Sequence, residues 1–383
     1  MKKIISVLLC FLIMLPLAIP VYAENNTLID SLSAKSVVLM EISSGEILLS
    51  KNPDEKLPPA SITKIMTLLL VMEALENGKI TLEDTVTTSK NAASKGGSQI
   101  WLKEGEQMTV HELIKATAIA SANDACTALG EYVAGSEAAF VEMMNNKAKE
   151  LGMNNTNFEN TSGLDDTAEN HYSTARDVAI MSCELMKYEK IKEYTTTWMD
   201  SLRDGETQLV NTNKLVRFYD GTTGLKTGTT SKAGYCVSAS ANRNGMELVA
   251  VVLGSDNSTE RFEDAKKMLD WGFANYTVYQ PQVNEALITN VSVLYGKENV
   301  IVPITKDISP ILIKKGTEDK ITQRVDICID VEAPVEKGQK LGTVYFEMEG
   351  ETLVSCSIIS ENQVERRSWL FTLCALWSSF AKK

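Results

Sequence analysis

The apolar positions of this chain fall first into one long run at its start. Ile4 to Val21 is mostly apolar, follows two lysines and ends just before the small residue Ala23. A basic start, an apolar stretch and a small-residue cleavage site are typical of a secretory signal peptide. We therefore predict that residues 1–23 are a signal peptide that is removed on export. A retained transmembrane helix is the alternative, and two prolines inside the run argue against it.

Alternation and helical periodicity predict the elements that follow. Val37 to Ile42 and Glu46 to Ser50 are strand-like runs on either side of Ser43-Ser44-Gly45, which predicts a hairpin. From Ser61, directly after a proline pair and one alanine, a largely apolar run continues to Gly78, which predicts a helix with a glycine at its C-terminal end. Because apolar residues occur nearly all the way round this helix, we expect it to be central and buried.

Further patterns predict helices and strands up to about residue 278. Polar loops separate three helical stretches, which we interpret as an all-helical insert. An Asn-Gly turn then joins two strand-like runs into a second hairpin, and one more helix follows. The helical stretches are Val110 to Val133, Ser136 to Leu151 and Thr174 to Met186, the strands are Tyr235 to Ala241 and Met246 to Leu253, and the last helix is about Thr259 to Trp271.

The composition changes after about Tyr279 to short segments rich in Val and Ile, with turn residues between them. These segments include Val291 to Tyr295, Val300 to Ile304, Asp326 to Val331 and Gly342 to Met348. The fold class we predict is α/β for residues 24–278, a sheet flanked by helices with an all-helical subdomain. A small all-β domain, residues 279–365, follows it.

The last residues, 366–383, have the pattern of an amphipathic helix. The run from Ser368 to Phe380 is too short to span a bilayer, and its large apolar residues fall on one helical face. Arginine and lysine pairs flank the run, which suits an anionic membrane surface. We predict a C-terminal membrane anchor, with a terminal helix packed on the protein core as the alternative.

Composition and charge narrow the class of protein. The 383 residues are 44% hydrophobic and 23% charged, which is enough apolar material for a large core. The formal net charge of -12 disfavours nucleic acid as a partner. Seven scattered cysteines form no CxxC pair, so we expect no cysteine metal site. Cys328 and Cys356 are the one pair considered for a disulfide, and small buried hydrophobic residues are the alternative.

The first candidate motif for chemistry is Ser61-Ile-Thr-Lys64, which places a hydroxyl and an amine three residues apart on one helical face. A serine becomes a good nucleophile when a nearby base removes its proton, and a lysine can serve if burial lowers its pKa. The first helical turn also offers N–H donors to a developing oxyanion. The pattern alone is weak, because Ser379 to Lys382 also matches it by chance.

Two further motifs are candidates because of where they lie in the predicted helices and strands. Ser121-Ala-Asn123 interrupts an otherwise apolar helical stretch, where polar residues either line a cavity or cap a helix. Lys226-Thr-Gly228 comes immediately before the strand pair that starts at Tyr235, where a strand edge could hold an extended substrate. Glycine at 228 allows another chain to approach closely, although a surface turn explains this triplet equally well.

Taken in order, these three motifs resemble those of the active-site serine penicillin-recognising enzymes. Between about residue 30 and residue 275 the chain is similar in particular to the low-molecular-mass D-alanyl-D-alanine carboxypeptidases, which implies a β-lactamase/transpeptidase-like fold. The predicted β-rich domain and amphipathic tail that follow also suit this family. The supporting stretches are Pro59 to Thr67, Gly97 to Leu102, Ala120 to Ala125, Asn170 to Asp177 and Gly224 to Thr229.

The resemblance implies catalytic roles for the residues at the matching positions. Ser61 would attack the carbonyl between two terminal D-alanines, and Lys64 would take its proton. Ser121 would relay a proton to the leaving D-alanine, while Asn123 would hold Lys64 and the substrate amide.

The same resemblance implies substrate-binding residues around the third motif. Lys226 would keep the site electropositive, and Thr227 would help bind the terminal carboxylate. Backbone N–H groups of Ser61 and Thr229 would form the oxyanion hole, with Gly228 between the two binding threonines. Arg261 falls where the family often has an arginine near that carboxylate, and a solvated helix arginine is the alternative.

The partners and location follow from the same family. The substrate would be a peptidoglycan stem peptide ending in D-Ala-D-Ala, and β-lactams would acylate the serine covalently. Neither metal nor cofactor is implied. The protein would lie outside the cytoplasmic membrane, in the periplasm or wall space.

Other functions fit the sequence less well. A Ser-His-Asp hydrolase needs a histidine base, and the only histidines, His111 and His171, accompany no Gly-x-Ser-x-Gly elbow. A class A β-lactamase would use a glutamate, and Asp165, Asp166 and Glu169 lie in the corresponding region. Endopeptidase action on wall cross-links remains open, and an inert wall-binding module is the remote alternative.

Overall fold

The computed structural model describes residues 23–164, 168–369 and 373. Two compact units make up these residues. Unit 1 contains the described residues up to 243 together with 247–272, and unit 2 contains 244–246 together with those from 273 onward. Residues 1–22 of the predicted signal peptide and most of the predicted C-terminal anchor lie outside the described residues, as do Asp165 and Asp166.

A five-stranded sheet forms the centre of unit 1, with strand order β2-β1-β9-β8-β7. β1 pairs antiparallel with β2 and β9, and β7 pairs antiparallel with β8, so β7 is an edge strand. Two short hairpins, β3 with β4 and β5 with β6, lie outside this sheet. The strands are β1 Ser36–Glu41, β2 Ile47–Lys51, β3 Thr85–Thr87, β4 Gln107–Thr109, β5 Met199–Leu202, β6 Thr207–Val210, β7 Thr222–Thr230, β8 Gly234–Arg243 and β9 Met246–Ser255.

Helices pack around this sheet, and the hydrophobic core of unit 1 runs through the helix that follows residue 63. Ten of that helix's thirteen residues are buried, which confirms the prediction of a central helix. The α-helices are α1 Ala23–Asp30, α2 Lys64–Glu76, α3 Lys90–Ala93, α4 Val110–Ala118, α5 Asn123–Ala134, α6 Glu137–Glu150, α7 Ala175–Met186, α8 Glu189–Thr195, α9 Leu215–Phe218 and α10 Ser258–Asn275.

Two local predictions about unit 1 were wrong in detail. The stretch from Val110 to Val133 is not one helix, because residues 119–122 separate α4 from α5. Ser61 lies in a 3₁₀ turn, Ala60–Thr63, that leads into α2 rather than in an α-helical turn. In both cases the sequence pattern predicted the correct region and the wrong boundary. The predicted position of Lys226 is confirmed, because it lies in β7, which immediately precedes the strand pair of β8 and β9 and forms an edge of the sheet.

Unit 2 is rich in β-structure, as the change of composition predicted. Its core contains Val291, Val344, Phe346 and Ile358, contributed by several short strands. A four-stranded sheet of order β13-β18-β17-β15 is its largest. The strands are β10 Tyr276–Tyr279, β11 Val291–Leu294, β12 Val300–Ile301, β13 Pro303–Thr305, β14 Ile311–Lys314, β15 Thr322–Ile327, β16 Asp330–Glu332, β17 Lys340–Met348 and β18 Glu351–Ser360.

Two further sequence predictions concern cysteines and the membrane. Cys328 and Cys356 are both free thiols, so they form no disulfide, and burial raises the pKa of Cys356. Within residues 23–164, 168–369 and 373, no helix is long and apolar enough to cross a membrane.

Candidate active site

The candidate site begins where the 3₁₀ turn Ala60–Thr63 passes into α2. Lys64, the first residue of α2, folds back so that its Nζ lies 2.8 Å from Ser61 Oγ. Ser61 is half-buried, whereas Lys64 is completely buried. Ala60 has a φ of 49°, an unfavourable value for a residue with a Cβ, and it directly precedes the serine. The turn therefore presents the hydroxyl at the surface and hides the amine beneath it.

Lys64 makes three short polar contacts. Besides Ser61 Oγ, its Nζ lies 2.5 Å from Asn123 Oδ1 and 2.9 Å from the backbone oxygen of Ser162. The last two partners can only accept hydrogen bonds. Burial lowers the pKa of Lys64 from 10.5 to about 8. A neutral amine would use its two N–H groups on these acceptors and direct its lone pair at the serine hydroxyl.

The turn between α4 and α5 supplies the second motif. Asn123 is the first residue of α5, and its side chain does not cap the helix. Instead Oδ1 accepts from Lys64, while Nδ2 donates to the Gly96 oxygen at 2.7 Å. Ser121 is buried in the same turn with a φ of 63°. The helix breaks here, and both polar residues of the motif are held inside unit 1.

The third motif lies on the edge strand β7. Lys226 is buried, and its Nζ donates to the Thr227 oxygen at 3.2 Å. Burial, followed by the positive charge of Lys64, lowers the pKa of Lys226 well below 10.5. Because the charge of one lysine affects the other, the first and third motifs lie in one electrostatic environment. Thr227 Oγ1 donates to Thr212 Oγ1 at 2.7 Å.

Gly228 explains how β7 reaches the serine. A Cβ added at this position would lie 2.8 Å from the Pro59 oxygen and 3.0 Å from the backbone nitrogen of Ser61. Any side chain would push the strand away from the turn that carries Ser61. The close approach considered from the sequence is therefore present, and its partner is the protein's own turn.

Arg261, on α10, contacts the same strand. It is buried, and its guanidinium donates to the Gly228 oxygen at 3.1 Å and to Thr229 Oγ1 at 3.0 Å. The same nitrogen also lies 3.2 Å from the Cys236 oxygen. Burial lowers the pKa of Arg261, and its Nε has no hydrogen-bond partner among the described residues. The alternative of a solvated helix arginine is therefore wrong.

Sequence reasoning missed a segment that closes the site from the other side. Ser162 supplies an oxygen to Lys64, and a Cβ on Gly163 would lie 1.8 Å from the Ala60 oxygen. His171 Nε2 lies 2.8 Å from Thr63 Oγ1, while its Nδ1 accepts from the Glu159 N–H. Nε2 therefore carries the proton and donates to Thr63. Only the Thr-Ser-Gly sequence after a polar loop could have drawn attention to this segment.

No cluster of three or more His, Cys, Asp or Glu side chains in the described part of the chain could hold a metal ion. The chemistry that the contacts support is that of an activated serine beside a buried amine. Electropositive groups and a closely packed strand edge surround that pair.

This fold and site are those of a serine peptidase that resembles penicillin-binding proteins, and comparison with known families agrees. The peptidase S11 family model, described as D-alanyl-D-alanine carboxypeptidase, matches residues 23–257. A second model, described as the C-terminal domain of penicillin-binding protein 5, matches residues 276–366. The chain belongs to the D-alanyl-D-alanine carboxypeptidase family, as the three motifs predicted.

Individual relatives extend the match over nearly the whole chain. The D-alanyl-D-alanine carboxypeptidase DacF of Bacillus subtilis is 43% identical over 97% of this chain and 96% of its own. Penicillin-binding protein 5 from Haemophilus influenzae is 33% identical, with a TM-score of 0.72 over 88% of this chain and 98% of its own. Penicillin-binding protein D2 from Listeria monocytogenes, solved in the ampicillin-bound form, is 32% identical, with a TM-score of 0.58 over 63% of this chain and 98% of its own.

Proposed function

We propose that this carboxypeptidase removes the terminal D-alanine of peptidoglycan stem peptides through an acyl-enzyme on Ser61. The observation that carries the proposal is the 2.8 Å contact between Lys64 Nζ and Ser61 Oγ, with the amine buried and its pKa lowered to about 8. Lys64 takes the hydroxyl proton as Oγ attacks the carbonyl carbon between the two D-alanines. The new Oγ–C bond replaces the C–N bond to the leaving residue.

The oxyanion of this step is bound by the backbone N–H groups of Ser61 and Thr229. Two main-chain donors aimed at the developing charge are the usual arrangement for acyl transfer. The support for this pair is Gly228, whose missing side chain lets β7 lie against the Ser61 nitrogen. Arg261 helps to hold the strand in place by donating a hydrogen bond to the Gly228 oxygen.

Proton transfer to the leaving group is assigned to Ser121. The proton taken by Lys64 passes through the Ser121 hydroxyl to the departing D-alanine nitrogen, which leaves as a free amine. Asn123 holds Lys64 through Oδ1 and contacts the substrate amide. Support comes from the shared turn, because the same break between α4 and α5 positions both residues. Water then attacks the ester, which releases the shortened peptide and restores Ser61.

The terminal carboxylate of the substrate is assigned to Lys226, Thr227 and Arg261. A carboxylate is attracted by positive charge and accepts hydrogen bonds from hydroxyl and guanidinium groups. Lys226 and Arg261 are buried cations with no carboxylate among their described hydrogen-bond partners. A bound anion would therefore offset part of the cost of burying them.

We also propose that residues 1–23 direct export and that 24–278 form the peptidase domain, followed by the β domain 279–365. Residues 366–383 would then bind the outer face of the cytoplasmic membrane as an amphipathic helix. The support is the helical spacing of Trp369, Leu373 and Leu376 in the sequence, between flanking basic pairs. Deleting residues 368–383 should release the mature protein from anionic vesicles in a flotation assay. Continued flotation of the truncated protein would contradict the anchor.

The experiment for the main proposal uses the mature protein and its Ser61→Ala variant. Both are incubated with a fluorescent penicillin and with diacetyl-Lys-D-Ala-D-Ala, while intact mass and free D-alanine are measured. The proposal predicts a stable adduct and D-alanine release, both lost in the variant. Rapid turnover of the penicillin would indicate a β-lactamase instead. No adduct and no release would leave a wall-binding module as the function.

A further inference from the structure

One aromatic side chain of unit 1 is held in an unfavourable backbone conformation and yet faces solvent. Trp101 is 74% exposed, and its φ is 60°. Left-handed backbone is a genuine outlier for a bulky residue, and outliers of this kind concentrate at binding and catalytic sites. Displaying an indole to water also gains nothing from the hydrophobic effect. Neither local preference nor core packing explains this residue.

A buried carboxylate fixes the position of Trp101. Asp124 is completely buried, and it accepts hydrogen bonds from the backbone N–H groups of Ile100 at 3.2 Å and Leu102 at 3.0 Å. These are the residues on either side of the tryptophan. Ile100 and Leu102 are themselves buried, so the loop is secured on both sides of the tryptophan and the indole projects outward between them.

The same loop is joined to the candidate active site. Asn123, which accepts from Lys64, donates its backbone N–H to the Ser98 oxygen at 2.7 Å and its Nδ2 to the Gly96 oxygen at 2.7 Å. Asp124 is the next residue in α5. Consecutive residues of one helix therefore position the catalytic amine and the exposed indole.

The cleft beside the indole has a volume of about 700 Å³, which is within the range of ligand sites. Its lining includes Trp101, Lys103, Glu104, Glu106 and Arg203. The two cations and two anions balance, and Arg203 already pairs with Glu106 at 2.8 Å. A charged ligand would gain little from such a lining. An uncharged ligand with hydroxyl or amide groups and an apolar face fits it better.

We infer that Trp101 and this cleft bind a sugar ring of the glycan strand that carries the stem peptide. This inference rests on the proposed function, because it requires a wall-derived substrate. An extended stem of five residues reaches roughly 17 Å from its end, at about 3.3 Å per residue. The indole stacks on the C–H face of the ring, and the polar side chains of the cleft bond to its hydroxyl and acetamido groups.

The test compares two substrates that share one pentapeptide and differ only in an attached disaccharide. Trp101→Ala should raise KM for the disaccharide-pentapeptide about tenfold and change kcat/KM for the free pentapeptide by less than twofold. Trp101→Phe should retain most of the preference. Tyr132→Ala is the matched control, because Tyr132 is another partly exposed aromatic residue on unit 1, at 38%, and should affect neither substrate.

The outcomes separate this inference from the proposed function. Equal losses on both substrates would overturn the sugar assignment and place the indole on the peptide. No loss on either would remove Trp101 from substrate binding. If the wild-type protein releases D-alanine from neither substrate, the proposed function itself fails.

A stability measurement tests the backbone argument separately. Glycine tolerates positive φ, so Trp101→Gly should have a higher Tm than Trp101→Ala while losing the same preference for the disaccharide. A lower Tm for the glycine variant would contradict the strain on which the inference depends.

Discussion

Unit 1 and unit 2 bury different kinds of side chain. In unit 1, Lys64, Asp124, Lys226 and Arg261 are all buried around the candidate site. In the described part of unit 2, the buried polar side chains are Thr343 and Ser360, and the core is otherwise apolar. Isolated charges are costly to remove from water, whereas apolar side chains favour burial. Unit 2 is built for stability, while unit 1 gives up some stability around its serine.

The backbone shows a narrower contrast. In unit 1, residues with positive φ include Ala60, Trp101 and Ser121, which surround or adjoin the motifs. In unit 2, Asn244 and Glu349 have positive φ in the turns between β8 and β9 and between β17 and β18, where such values are common, and Tyr295 has positive φ just after β11. Strain at ordinary turns needs no functional explanation. Strain beside a serine, a buried lysine and a cleft coincides with the predicted chemistry.

The largest effect should come from Lys64→Met, which keeps the approximate length of the side chain but removes the proposed base. General-base catalysis contributes about 10²–10⁴-fold, so we expect acylation by penicillin to slow by about 10³-fold. The rate is measured by stopped-flow fluorescence. Lys306→Met, an exposed lysine of unit 2, is the control and should acylate normally. If acylation slowed to a similar extent in both variants, the buried lysine of unit 1 would have no special role compared with an exposed lysine of unit 2.

A pair of glycines sharpens the comparison next. In Gly228→Ala the new Cβ would lie 3.0 Å from the Ser61 nitrogen, so we expect kcat to fall by about 10²-fold, as for a lost oxyanion donor. In Gly342→Ala the Cβ would lie 2.3 Å from the Asp326 oxygen between β15 and β17. That change should lower Tm and leave kcat unaltered. Steady-state release of D-alanine and thermal unfolding are the measurements.

The smallest expected effects come from replacing two arginines, one buried in unit 1 and one exposed in unit 2. Arg261→Ala should raise KM about tenfold, because it removes a cation that is assigned to the substrate carboxylate. It should also lower Tm, because two backbone oxygens of the sheet lose their hydrogen-bond donor. Arg324→Ala removes an exposed pair with Glu347, 2.9 Å apart, and should change stability by less than about 1 kcal/mol. A larger loss of stability in Arg324→Ala than in Arg261→Ala would show that burial does not determine how much each arginine contributes to stability.

The sequence predicted most of the architecture, because periodic burial leaves a periodic pattern. The stretch from Val291 to Tyr295 was predicted as a strand, and β11 Val291–Leu294 is found there, its residues alternating between the core and solvent. The apolar run after Ser61 likewise predicted the buried α2. The break at residues 119–122 was not predicted, because Ile119, Ala120 and Ala122 continue an apolar helical pattern. Only the polar residues Ser121 and Asn123 marked the interruption.

The site was predictable as a set of motifs but not as a geometry. Ser61 and Lys64 are three residues apart, so their contact followed from helical spacing. Arg261 could not be distinguished from a solvated helix arginine, because the sequence does not show that its face of α10 meets β7. Ser162 and Gly163 were missed for a related reason. Ser162 contributes a backbone oxygen and Gly163 contributes the absence of a side chain, and neither contribution can be recognised from the residue type.

The measurement that most directly tests the account is the pH dependence of Ser61 acylation by penicillin between pH 6 and 9. The pKa of Lys64 is lowered to about 8, so the amine is protonated and unable to accept a proton at lower pH. The account predicts a rate that rises about tenfold per pH unit below that value and then levels off, and the Lys64→Met variant should lose this rise. A rate that is independent of pH, or an unchanged rise in the variant, would contradict Lys64 as the base.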